Sequence, residues 1–211
     1  PDDFAEPQNE PMQSETPPAK FGCFVRDDGN LIMTREEKDE LIKAEPLAEK
    51  FIRPYMMGKD FIYRKPRYCL WLVDASPRDV RQCPRVMERI EKVKAFRLAS
   101  TSPLTRKQAE TPSLFSYISY SKEHYIAIPE VSSEKRSYIP MDWLPPEVIP
   151  GHIYMIENAT LYHFGVLTSR VHMSWMRIVA GRLKSDYRYG NTVVYNTFVW
   201  PSPSEKVRVK I

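Results

Sequence analysis

The stretch HYIAIPEVSSEKRSYIP, residues 124–140, holds two apolar runs with two serines, an acid and two bases between them. HYIAIPEV and KRSYIP read as short strands, being rich in β-branched and aromatic residues and bounded by turn formers. Further strands are expected at HIYMIEN (152–158), LYHFGVL (161–167) and NTVVYNTF (191–198). Helix signals gather mainly in the first half. Helices early, short strands late and no regular strand–helix alternation point to an α+β fold: a mixed, largely antiparallel sheet with several packed helices. The charged middle of the opening stretch stays open at this point. Glu134, Lys135 and Arg136 suit a solvated loop, a salt bridge fixing a turn, or a surface that offers donors and acceptors to a partner.

The chain has 211 residues, 42% of them hydrophobic, enough for one substantial core. Nineteen prolines against seven glycines imply many short elements with stiff connections. Cys23, Cys69 and Cys83 are odd in number and lack CxxC spacing, so they read as small buried hydrophobes in a reducing, cytoplasmic setting. No apolar run approaches membrane-spanning length and no signal peptide is visible. The net charge of +4 is unevenly spread: residues 1–50 carry −7 and residues 51–211 carry +11. A basic body of that kind favours a polyanionic partner, although many enzymes are equally basic.

Residues 1–19 are acidic, proline-rich and poor in large apolar side chains, and are expected to form a flexible lead-in. Thr34 and Glu37 form a capping box for a first helix. RYCLWLV (67–73) reads as a buried strand. Pro84 opens a helix whose apolar face is Val86, Met87, Ile90, Val93 and Phe96, with Arg85, Arg89 and Lys92 on the other side. That cationic stripe is either a solvated helix face or, with Arg78, Arg81, Lys94 and Arg97 nearby, a phosphate-facing one. STSPLTRKQAETP (100–112) reads as a polar loop. Ser169 caps a later helix with Val171, Trp175, Ile178, Val179 and Leu183 inward and Gly181 near its end. The start at proline and the stop at VRVKI, inside an apparent helix, read as a piece of a longer chain.

No catalytic centre is legible. His124, His152, His163 and His172 are scattered without metal-ligand spacing, and buried structural histidines are the better account of them. GxGxxG, GxxxxGK[ST] and GxSxG are absent. Glu130 and Glu134 are an isolated carboxylate pair with nothing beside them to support hydrolysis.

Two patches carry binding chemistry. If 130–136 is extended, Glu130, Ser132, Glu134 and Arg136 share one face and Val131, Ser133 and Lys135 the other. Arginine pairs with guanine O6 and N7, glutamate accepts from the amino group of cytosine, and serine serves either. A purely phosphate-binding surface has no use for glutamates. The competing account is an exposed Glu–Arg pair that fixes a turn and adds little stability. The second patch, GRLKSDYRYGN (181–191), interleaves Arg182, Lys184 and Arg188 with Tyr187 and Tyr189 beside Ser185. Such a set suits phosphate and sugar contacts, or else a helix end whose last carbonyls meet cations.

The blocks FIRPYMMGKDFI, RYCLWL, FRLAS, TRKQAETPSLF, IPEVSSEKRSYIP, HFGVLTSRVHMSWMRIVAGRLKSDYRYG and VYNTFVWP, in that order, resemble the target recognition domain of MmeI-like DNA methyltransferases. These are bacterial restriction-modification enzymes. The resemblance implies a target recognition domain over 20–201, followed at 202–211 by the start of a truncated helical segment. It implies sequence-specific recognition of double-stranded DNA for an adenine-N6 methyl transfer. That transfer is carried out by an upstream catalytic domain of the same parent chain, which holds S-adenosylmethionine and an Asn-Pro-Pro-aromatic tetrapeptide. Neither feature is present here, so no catalytic residue, metal or cofactor is assigned to this chain itself. Base recognition is carried onto Glu130, Ser132, Glu134, Lys135 and Arg136, and more loosely onto Ser102, Thr105 and Arg106. Backbone contacts are carried onto Lys184, Ser185 and Arg188, and Arg182, Arg85, Arg89 and Lys107 join them from the patches above. A cytoplasmic location without membrane association follows from the same reading. The rival is a protein-interaction or regulatory domain with a basic face and no sequence readout.

Overall fold

The computed structural model describes residues 5–202 and Ser204. In chain order the strands are β1 (Ala19–Phe21), β2 (Ile32–Met33), β3 (Ile52–Met56), β4 (Arg67–Leu70), β5 (Tyr125–Pro129), β6 (Val131–Ser132), β7 (Asp142–Leu144), β8 (Ile149–Pro150), β9 (Ile153–Ile156), β10 (Gly181–Leu183) and β11 (Asp186–Arg188). The α-helices are α1 (Arg35–Ala44), α2 (Gly58–Tyr63), α3 (Pro77–Arg81), α4 (Pro84–Leu98), α5 (Pro103–Lys107), α6 (Leu161–Leu167) and α7 (Arg170–Val179). The expected α+β class holds, with sheets that are antiparallel except for one parallel pair. Two compact units share the chain: one gathers 1–22, 120–146 and 152–211, the other 23–119 and 147–151.

In the first unit β1, β9, β5 and β7 form an antiparallel sheet in that order. Every residue of β5 and β9 is buried, which is why both runs read as continuously apolar rather than alternating. Ile126, Ile128, Ile156, Leu167, Met173 and Met176 form part of the core beneath them. A second sheet runs β10–β11–β6.

Several expected elements differ. LYHFGVL is helix α6 and NTVVYNTF begins with a wide helical turn at Asn191–Tyr195, neither of them a strand. Short apolar runs do not distinguish strand from helix by period, and tertiary packing decides them. Here the Thr160 amide donates to His163 Nδ1 at 3.0 Å to start the helix, and the Asn191 side chain donates to the Ala19 carbonyl at 3.1 Å to hold the turn against β1. α7 begins after the expected Ser169 cap, whose hydroxyl accepts from the His172 amide at 3.2 Å. It buries His172, Met173 and Met176, however, and leaves Val171 and Ile178 exposed. It stops at Val179, and GRLKSDYR is a β-hairpin with Leu183 exposed, not a helix end.

The described part of the segment expected as a flexible lead-in, from residue 5 on, is hydrogen-bonded into this unit. Gln8 and Met12 amides donate to the carbonyls of Thr192 and Asn196 at 2.9 Å, and Gln13 bonds Trp200 through both ends of its amide. Backbone and side-chain hydrogen bonds together hold this segment. The helical start expected at 202–211 lies almost wholly outside the described residues.

The other unit orders its strands β2–β4–β3–β8, with β3 and β8 parallel. The capping box of α1 is present, Glu37 N donating to Thr34 Oγ1 at 3.2 Å and Thr34 N to Glu37 Oε2 at 2.8 Å. Beyond β8, Gly151 is required by close packing, since a Cβ there falls 2.1 Å from the Tyr55 ring. α4 buries Val86, Ile90 and Val93 as expected, but the fourth inward residue is Arg97, not the partly exposed Phe96. Arg97 is 0% exposed. Its guanidinium donates to the carbonyls of Val25, Arg26, Gln108, Thr111 and Leu114 at 2.7–3.0 Å. It is thus a cross-link between two loops and not part of a phosphate-facing stripe.

Candidate nucleic-acid interface

Extended backbone does not run through 130–136: β6 ends at Ser132, and KRSYIP, expected as a strand, forms none. Ser132 pairs with Tyr187 and Val131 with Arg188, which fixes β6 antiparallel to β11. The chain then turns: the Arg136 amide donates to the Ser133 carbonyl at 3.1 Å and the Lys135 amide reaches Ser133 Oγ at 3.4 Å. In this register the end of β6 and the Lys184–Ser185 turn between β10 and β11 lie at the same end of the sheet. The two candidate patches, fifty residues apart in sequence, are therefore neighbours. Lys184 takes a left-handed conformation, φ +57°, at the tip of the hairpin.

This corrects the single extended face. Ser132 is 2% exposed, and its hydroxyl has no hydrogen-bond partner among the described residues. Glu130 is occupied by Arg188, whose Nε and Nη2 both reach its Oε1, at 2.9 and 2.8 Å. Glu134 faces Arg182 at 3.7 Å. Arg182 is itself fixed, with Nη1 donating to the Ser185 carbonyl at 2.9 Å and its guanidinium 3.9 Å from the centre of the Tyr187 ring. Lys135, Arg136 and Lys184 are exposed and make no ion pair among the described residues. The sheet thus ends in a tip with three unengaged cations and one braced carboxylate. Such a set can meet phosphates and base edges together.

The floor of this sheet is aromatic and dry. Tyr189 is fully buried, its hydroxyl 3.0 Å from His172 Nε2. Burial pushes the Tyr189 hydroxyl well above its ordinary pKa and pulls His172 down to about 4. Both are neutral core groups, in line with the structural reading of the histidines. Tyr189 belongs with the scaffold, not the contact surface.

The candidates of the other unit are dispersed. Ser102 caps α5, a short helix within the expected polar loop, and its hydroxyl receives the Thr105 amide at 3.5 Å. Thr105 is buried and accepts from Arg26 Nη1 at 2.9 Å, so its hydroxyl serves the loop. Arg106 and Lys107 are exposed, and Arg106 Nη1 donates to the carbonyls of Ser100 and Thr101 at 2.8 and 2.9 Å. Arg85, Arg89 and Lys92 line a cleft with Asp28, Glu37, Glu40 and Glu88. Arg89 lies 3.5 Å from Glu37 and donates to the Asn30 carbonyl. Those carboxylates make this stripe an ion-paired surface and weaken the phosphate-facing account of it. Among the described residues no cluster of His, Cys, Asp or Glu could hold a metal, and no helix is long and apolar enough to cross a membrane.

A family model described as the MmeI target recognition domain matches residues 1–202. The chain belongs to that family. That match takes in the N-terminal segment, whose Gln8 and Met12 amides bond to Thr192 and Asn196. The chain is 38% identical over 199 residues to DNA methyltransferase A of Bacillus subtilis (strain 168), an alignment that covers 94% of this chain and 23% of that protein. It is also similar to the solved structure of the Type IIL restriction-modification enzyme MmeI in complex with DNA, at 43% identity and a TM-score of 0.94. That match covers 97% of this chain and 27% of the other. The chain spans about a quarter of the length of each relative.

Proposed function

We propose that this chain is the sequence-reading domain of a larger DNA methyltransferase and that the β6–β11–β10 tip is its base-reading edge. The observation that carries this is the convergence of Glu134, Lys135, Arg136 and Lys184 at one end of one small sheet. Phosphate contacts by lysine supply affinity without sequence information, whereas arginine and glutamate aimed at base edges supply discrimination. Arg136 is the guanine reader of the set and Glu134 the acceptor for an exocyclic amino group. Glu130, engaged by Arg188, holds the sheet, as do Ser132 and Thr105 from buried positions. Arg106 and Lys107 remain available as contacts from their own loop.

Methyl transfer to adenine N6 and the binding of S-adenosylmethionine are assigned to the catalytic part of the parent chain, in the cytoplasm of a bacterium. This chain's residues do not fit those tasks. It has no Asn-Pro-Pro-aromatic tetrapeptide: its two Pro-Pro pairs are followed by Ala19 and Glu147. The experiment is selection of the 211-residue chain against randomised duplexes at low salt, followed by sequencing. One short enriched motif is expected, and exchanging the residues at 134 and 136 should change the base pair at one position by about 1–3 kcal/mol of discrimination. Enrichment of the same motif by the exchanged chain would remove the assignment of these two residues.

A further inference from the structure

We infer that Arg182 is a positioning residue for sequence discrimination: it braces the Glu134 carboxylate for base readout and does not serve as a phosphate clamp. This rests on the reading of the tip as the base-reading edge. Composition alone places Arg182 with the backbone contacts, as one cation among several. Its surroundings say otherwise. Its guanidinium carbon lies over the Tyr187 ring, one nitrogen is committed to the Ser185 carbonyl, and Glu134 lies 3.7 Å away. Lys135, Arg136 and Lys184, a turn away, make no ion pair and are the cations open to phosphates.

The reason for such a brace is electrostatic. A carboxylate carried toward a duplex is repelled by the phosphates, so a glutamate that reads bases needs its charge compensated while its lone pairs stay available. A fixed guanidinium beside it meets both needs, and the coupling strengthens as water leaves the interface and the effective dielectric constant falls. With Oε2 turned to Arg182, the other oxygen remains to accept from the amino group of cytosine or adenine. Arg182 keeps its place through stacking and a planar fork, which lysine cannot reproduce. The neighbouring Glu130–Arg188 pair shows the contrast. There the carboxylate is largely covered, its side chain 21% exposed, whereas Glu134's is 45% exposed and presented at the tip.

The test is duplex selection and salt-dependent binding with the 211-residue chain and its R182A, R182K, E134Q and E134Q/R182A variants. R182A is expected to blur by about tenfold the one position that E134Q alters, leaving other positions and the salt slope unchanged. R182K, which keeps the charge but not the planar fork, is expected to leave that position blurred as well. The double variant should discriminate no worse there than E134Q alone, because the two residues act as one reader. Uniform weakening by R182A on all sequences, with the salt slope reduced by about one, would make Arg182 a phosphate contact and overturn the inference. An unaltered position in R182A, or in E134Q, overturns it as well. A parent chain that enriches no motif overturns the proposed function itself, and with it this inference.

Discussion

Replacing Arg97 with methionine tests whether this buried cation holds the loops of its unit. The substitution keeps an unbranched side chain in the apolar row of α4 and removes the donors that reach five carbonyls. Hydrogen bonds to a charged donor contribute about 1.5–3 kcal/mol each, so a simple sum exceeds about 7 kcal/mol. That sum is too large. Methionine also removes the cost of burying a charge, and burial already draws the Arg97 pKa below its ordinary value. Carbonyls near the loop surface regain water besides. A loss of about 3–5 kcal/mol is expected, the scale of breaking a buried ionic network. Three of the four tryptophans lie in the other unit, so fluorescence reports the wrong part of the chain. Hydrogen exchange read by mass spectrometry across 23–119 reports the right one, and protected amides there should exchange about a hundredfold faster or more. R97K should be nearly as harmful, because three ammonium donors at one point cannot reach carbonyls from two loops. A change below about 1 kcal/mol in R97M, with unaltered exchange at 25–26 and 108–114, would refute the cross-link.

His172 is buried neutral with a pKa near 4, against about 6.5 when unfolded. The unfolded chain therefore binds the extra proton first. Its contribution is complete above about pH 6.5 and falls by about 3 kcal/mol as the pH drops toward 4. H172F should flatten that part of the stability profile in urea titrations, and an unchanged slope would sink the assignment. K184A should weaken binding to all duplexes alike and lower the salt slope by about one, whereas an altered motif at constant slope would move Lys184 from phosphate to base. Cys23, Cys69 and Cys83 are buried as free thiols, and burial raises Cys23 to about 11. A thiol reagent at neutral pH should therefore label the native chain slowly and the urea-unfolded chain three times over. Rapid labelling of the native form would mean that these sites open more readily than their packing allows.

Elements with a local signal were legible in the chain itself. The Thr34–Glu37 capping box, the proline start of α4, the apolar continuity of β5 and the Ser169 cap are patterns of neighbouring residues, and each formed as read. The charges at 134–136 and 184 were visible too, but their pattern alone left a solvated loop or a turn-fixing salt bridge open, and only the family resemblance carried recognition onto them. One signal went unread. Val86, Ile90, Val93 and Arg97 recur at spacings of four, three and four, which marks Arg97 as an inward residue despite its charge.

Other features depend on residues far apart in the chain. The 191–195 turn is held by the Asn191 side chain on the distant Ala19 carbonyl, whereas the Thr160–His163 cap of α6 is a local signal. The extended face through Glu130, Ser132, Glu134 and Arg136 failed because the strand ends at Ser132, where pairing to β11 stops and the Ser133 turn takes over. That same pairing brought residues 133–136 beside the hairpin turn at 184–185 and set Arg182 against Glu134 and Arg188 against Glu130. Strand register is a long-range quantity, set by which faces are buried across the sheet, and no local pattern in either segment contains it.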